Sequence, residues 1–192
     1  MSLRRGFKAE AERISAEIRE ELDLGLLDRL DPLRLAEHLG IPVFTLRDIA
    51  RSNGGGTGFL QTLRGIEQDA FSAVTIFLGD RRLIVHNDSH APTRQASNIT
   101  HELSHCILEH PPSPVLSPEG CRYWDARLEA EADFLAGALL VPRDGALALT
   151  KRRSPLASIA ERYGVSEPLC RWRINETGVA IQAARWATNR GA

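Results

Sequence analysis

The amino-acid sequence predicts an α+β protein. A small, mostly antiparallel sheet packs on a helix bearing two histidines and on a second helix bearing acids, and a C-terminal helix pair follows. Three observations carry this reading. Apolar residues recur at helical spacing up to Gly40 and again from Pro92. Between Pro42 and His86 the pattern changes to short β-branched and aromatic runs broken by glycines. A proline pair and a single proline then close two long helical stretches.

The first element is an amphipathic helix from Phe7 to Leu22, with Phe7, Ala11, Ile14, Ile18 and Leu22 as its apolar stripe. Lys8 with Glu12, and Arg13 with Glu17, form charge pairs at four-residue spacing and give it a solvated back. A second helix runs from Asp31-Pro32 to Gly40, with Asp31 as N-cap. Pro42 to Leu46 is a strand, and Gly58 to Leu63 a weaker one. Phe71 to Leu78 and Arg82 to His86 form a hairpin about Gly79-Asp80. The glycine run at Gly54 to Gly58 lacks the Gly-Lys-Ser/Thr of a phosphate loop and reads as a turn.

Pro92 to His110 is the next helix. Pro92 suits its first turn, Ala96, Ile99, Leu103 and Ile107 make its stripe, and Pro111-Pro112 stop it. Pro111 to Tyr123 is a stiff connection bordering a cleft. Trp124 to Leu140 is a further helix, with Leu128, Ala132, Leu135, Ala136 and Leu139 buried and Pro142 closing it. Leu156 to Gly178 resembles a helix-turn-helix, with Gly164 in the turn and Ser166 capping the second helix. The expected division is 7–145 for the main domain, 146–178 for a helical pair packed on it, and 179–192 for a tail.

The chain has 192 residues, 43% of them hydrophobic, enough for a real core. Its 24 basic and 25 acidic residues leave a net charge of −1, with no drive toward nucleic acid or an anionic membrane. Arg171 and Arg173, with Lys151, Arg152 and Arg153 upstream, make the C-terminal helices mildly basic. DNA contact there is nevertheless the weaker reading, because no dimer element is visible. Cys106, Cys121 and Cys170 are too few for a disulfide framework, and one must stay unpaired. That composition, with no membrane span and no apolar signal core after Arg4-Arg5, predicts a cytoplasmic protein. Cys106 reads as core.

The chemistry concentrates at His101-Glu102-Leu103-Ser104-His105, an H-E-x-x-H motif. On a helix, positions four apart share a face, so both imidazoles reach one metal ion. Both lie off the apolar stripe, on its flank. Glu102 sits about 100° round the helix, where it reaches water beside the ion and serves as base. A zinc site needs a third protein ligand. The extended motif with a third histidine is excluded, because Leu108 and Pro111 stand at its glycine and histidine positions. His110, five residues after His105, is expected to point away from the ligand face. The second helix offers Glu129, Glu131 and Asp133. Glu129 and Asp133 are four apart, share a face and can divide the labour, Glu129 binding the metal and Asp133 accepting from the free ring N–H of a ligand histidine. Glu131 is the rival ligand on another side.

Four segments together resemble the ImmA/IrrE family of zinc metallo-endopeptidases. They are Ala36 to Val43, Arg94-Gln95 with the motif, Glu129 to Ala136 running into Leu139-Leu140-Val141-Pro142, and Tyr163-Gly164-Val165-Ser166 with Arg173-Ile174. The resemblance spans about Lys8 to Gly178. It implies a zincin-like minimal metallopeptidase fold with His101, His105 and Glu129 on zinc and Glu102 as base, the glutamate lying thirteen residues before Pro142. Asp133 stands where the family commonly has asparagine, and Leu135 precedes Ala136 where Phe-Ala is usual. By the same analogy, Arg82 to His86 lies near a sheet edge that binds an extended peptide. Tyr123 and Arg94 are candidate oxyanion donors. Manganese or iron are alternatives to zinc, since imidazole accepts several metals. The resemblance implies cleavage of a helix-turn-helix repressor of a stress or mobile-element operon. Two other readings compete. One is a non-proteolytic regulator on the same scaffold, and intact Glu102 argues against it. The other is a small-substrate amidase.

Overall fold

A computed structural model describes residues 3–51, 72–79, 81–111 and 125–190. Helix α1 (Phe7–Glu21) inserts Phe7, Ala11 and Ile18 into the core, as its stripe predicts. Its back is less solvated than expected, because Ser15 and Arg19 are buried. The Arg19 guanidinium donates to the carbonyls of Leu139, Gly25 and Asp28. Arg13 and Glu17 pair at 2.7 Å as predicted, whereas Lys8 and Glu12 do not. Lys8 meets Glu176 at 2.9 Å, and Glu12 meets the buried Arg173. Distant partners win because a buried guanidinium needs a carboxylate far more than an exposed lysine does.

Helix α2 (Pro32–His38) starts at Asp31, whose carboxylate accepts from the Leu33 N–H at 2.9 Å. Strand β1 is shorter than expected, Val43–Thr45, and Leu46 opens a helix, α3 (Leu46–Arg51). The missed signal is a capping box. The Thr45 backbone N–H donates to Asp48 at 2.9 Å, and the Asp48 N–H donates back to the Thr45 hydroxyl at 3.0 Å.

Strands β2 (Ala73–Leu78) and β3 (Arg81–His86) form the expected antiparallel hairpin, with Ala73 opposite His86. The sheet order is β1-β3-β2, with β1 parallel to β3. This corrects the expected place of Arg82 to His86, since β3 is the central strand and not an edge. Ile84 and Val85, both fully buried, enter separate apolar clusters on opposite faces. A strand covered on both faces belongs inside a sheet. The expected strand at Gly58 to Leu63, the glycine run before it and the connection from Pro112 to Tyr123 lie outside the described residues.

Helix α4 (Pro92–Ile107) and helix α5 (Ala126–Leu140) pack side by side, and α5 is also covered by α1. Asp125 caps α5 by accepting from the Arg127 and Leu128 N–H groups. Four helices follow: α6 (Arg143–Lys151), α7 (Leu156–Tyr163), α8 (Glu167–Glu176) and α9 (Val179–Arg190). The turn between α7 and α8 is as expected. Gly164 takes the left-handed conformation at φ 67°, and the Ser166 hydroxyl accepts from Leu169 N–H. Arg173 corrects the basic-surface reading, because it is 0% exposed and donates inward to the Val141 carbonyl and Glu12. The stretch from 179, read as a tail, carries α9, which buries Val179 and Ala183. Among the described residues, no helix is long and apolar enough to cross a membrane.

The start of α6 is tightly packed. A Cβ on Gly145 would stand 2.3 Å from both the Leu26 carbonyl oxygen and the Tyr163 hydroxyl. Those two groups are themselves hydrogen-bonded at 2.9 Å. Gly145→Ala is therefore expected to lower stability by about 1–3 kcal/mol through overpacking, read as a lower midpoint in urea.

Candidate metal centre

Helix α4 presents His101 and His105 one turn apart, on the flank beside α5. Leu103 and Ile99 on the stripe are buried and hold that rotation. The two Nε2 atoms lie 3.1 Å apart. From α5, Glu129 brings one carboxylate oxygen to 3.3 Å from His101 Nε2 and 3.7 Å from His105 Nε2. One atom from each of these three residues falls within 4.8 Å of the others, a group that can hold a metal ion. Two imidazoles and a carboxylate are a donor set that suits zinc, with manganese and iron also admissible.

Electrostatics couples the three. Burial works against charge on His101, but Asp133 and Glu129 outweigh it and push the imidazole up to about 10. Burial likewise opposes ionisation of Glu129, yet the imidazoles hold its carboxyl well below the usual range. The two Nε2 atoms face Glu129, while the Nδ1 atoms face outward to other partners. His101 Nδ1 meets Asp133 Oδ1 at 2.9 Å, at an exposed rim where the Asp133 side chain is 65% accessible.

Glu102 lies on the cleft side of α4, and its carboxylate accepts from the Thr75 hydroxyl of β2 at 2.6 Å. The cleft holds about 370 Å³ and is walled by Ser72 and the start of β2 to Thr75, by α4, and by Glu129 and Asp133. The acids thus separate by position. Glu131 is buried on the other side of α5, 3.3 Å from Arg4 and 3.8 Å from His110. Arg94 is exposed and donates to Ser72, so it does not line the cleft. Tyr123 lies outside the described residues.

Three residues at the site escaped the sequence reading. Thr75 comes from a strand 27 residues upstream of Glu102, and no local spacing announces it. Asn98 lines the cleft one turn before His101, and its buried amide nitrogen has no partner among the described residues. His110 was expected to point away and does not. It is buried, its Nδ1 is 2.9 Å from His105 Nδ1, and the rings stand edge to face at 5.0 Å. The reason is that α4 ends at Ile107, before the prolines, and Glu109 turns left-handed at φ 52°. A uniform helix through residue 110 would have carried the ring elsewhere. Cys106 is buried as expected, though it borders the cleft.

Comparison with the curated proteins finds no match. Among solved structures, a Mycobacterium tuberculosis transcriptional regulator is similar at 16% identity and a TM-score of 0.48, over 88% of this chain and 46% of that one. The chain thus spans about half the length of that regulator. The family model described as the IrrE N-terminal-like domain, a peptidase model, matches residues 36–175. By that match, which takes in the histidines, the acids and the cleft between them, the chain belongs to the Peptidase_M78 (IrrE N-terminal-like) family.

Proposed function

We propose that the protein is a zinc-dependent endopeptidase that hydrolyses a peptide bond in a transcriptional repressor of a stress or mobile-element operon. The observation that carries the reading is the meeting of His101, His105 and Glu129 at one point, with Glu102 beside it on an open cleft. The donor set fits zinc, because three ligand atoms face one another and the outer nitrogens of both histidines have acceptors. Zinc, when bound, supplies Lewis acidity, polarising a carbonyl and acidifying water.

The chain's own residues do the rest. β2 lies along the cleft, and an extended substrate backbone laid beside it would be held across Glu102. Thr75 holds one oxygen of the Glu102 carboxylate, and the other has no hydrogen bond among the described residues. That oxygen takes a proton from the attacking water and returns it to the leaving amine. Among the described residues, Asn98 lines the cleft and replaces Arg94 as a candidate donor for the carbonyl oxygen, once its buried, unpartnered amide nitrogen turns into the cleft. Asp133 orients His101 from outside. Residues 7–145 carry this chemistry, and 146–178 pack on them. The cytoplasmic reading is supported by two free buried cysteines, Cys106 and Cys170.

The test is direct. The protein is incubated with a helix-turn-helix repressor, taken from beside its own gene where one is encoded there, with and without a chelator. A single cut that the chelator abolishes and zinc restores is the expected result. Cleavage indifferent to chelation would overturn the metal role. Hydrolysis confined to short peptide amides would favour the amidase reading.

A further inference from the structure

The two ligand histidines do not have the same kind of outer partner. His101 leans on the exposed Asp133, whereas His105 leans on a second histidine that is itself 8% exposed. Two backbone bonds at the end of α4 place His110 against His105. The His110 backbone N–H donates to the His105 carbonyl at 3.0 Å, and the Glu109 N–H donates to Cys106 at 3.2 Å. This bond pair is a Schellman closure of α4, here with a glutamate rather than a glycine at the left-handed position. The closure delivers the His110 ring to the His105 ring, Nδ1 to Nδ1 at 2.9 Å. Behind it, His110 Nε2 lies 3.8 Å from Glu131 Oε2, and the other Glu131 oxygen lies 3.3 Å from Arg4 Nε.

Two Nδ1 atoms at that distance share one proton. His105 Nε2 is the atom turned toward Glu129, so a neutral His105 that offers it to a metal carries its proton on Nδ1. His110 must then accept at Nδ1 and carry its own proton on Nε2, facing the buried Glu131 carboxylate. The His105–His110 pair thus has one consistent assignment of donor and acceptor, with Glu131 behind it at 3.8 Å and Arg4 beyond at 3.3 Å as charge contacts. Glu131, a carboxylate 4% exposed, has its charge met by Arg4 at 3.3 Å on the side away from His110.

We propose that His110, backed by Glu131, is a positioning residue that fixes the tautomer and ring orientation of His105 for metal binding. This rests on the reading of His101, His105 and Glu129 as the metal ligands. Zinc affinity measured by chelator competition is the first readout. His110→Ala is expected to weaken zinc binding roughly tenfold to a hundredfold. His110→Asn, whose Oδ1 can accept near the place of the imidazole Nδ1, should recover much of the loss, and Glu131→Ala should cost less than His110→Ala. Thermal unfolding of the metal-free variants separates affinity from folding. The second readout needs no variant. In ¹H–¹⁵N correlation spectra of the zinc-loaded wild type, His105 should carry a slowly exchanging Nδ1 proton, and His110 should be the Nε2–H tautomer. Zinc affinity of His110→Ala within twofold of wild type, or a proton on His110 Nδ1, overturns the proposal and leaves the ligand assignment standing. A wild-type protein that binds no zinc overturns both.

Discussion

Glu102→Gln is expected to slow peptide-bond hydrolysis by about two to four orders of magnitude, the usual contribution of a positioned general base, while the protein retains its metal. The substitution is nearly isosteric. The Thr75 hydroxyl, 2.6 Å from one carboxylate oxygen, can donate equally well to an amide oxygen, so the side chain keeps its place. What disappears is the capacity to take a proton. Glu102 is not among the three residues whose donor atoms converge, so metal content should be unchanged. The measurement is kcat on the cleaved repressor together with metal analysis of the same preparation. A variant that cuts at the wild-type rate would show that another group is the base. Loss of metal along with activity would instead place Glu102 among the ligands.

Glu129→Ala should weaken metal binding by more than the roughly 10–100-fold that loss of an outer partner costs, and activity should fall with it. Its carboxylate oxygen is the one acidic atom within 4 Å of both Nε2 atoms among the described residues. Removing it leaves two imidazoles and, among the described residues, no carboxylate within 4 Å of both Nε2 atoms. The comparison that matters is with the neighbours. Asp133→Ala should cost less, because Asp133 touches the outer nitrogen of His101 from an exposed rim. Glu131→Ala acts only through His110. Metal analysis after dialysis against a weak chelator ranks the three. Full retention in Glu129→Ala would remove it from the ligand set, and the acid whose loss does empty the protein would take its place.

The motif histidines and Glu102 were legible because they lie on one helix, where periodicity alone decides which residues share a face. Glu129 needed a second helix, where its four-residue spacing from Asp133 singled it out and the family resemblance agreed, against Glu131 two residues away. Those two residues turn Glu131 to another side of α5, against Arg4 and His110. The hairpin was legible from alternation, but its neighbour was not. Nothing in Arg82 to His86 says that a parallel β1 will cover its far side. Helix α3 hid behind a strand-like run, although its capping box was there to be read. Arg173 looked like surface charge because a sequence does not show which long-range carboxylate will reach a guanidinium.

Local periodicity by itself determined the helix carrying His101, Glu102 and His105, the acid-bearing helix after it, and the hairpin between Ala73 and His86. Backbone geometry repeats over a few residues, and side-chain spacing reports it directly. Only the tertiary structure decided which acid meets the imidazoles, that Thr75 holds Glu102, and that His110 stands behind His105. Each of these depends on how separate elements pack or on one left-handed residue, Glu109, and neither leaves a period in the chain.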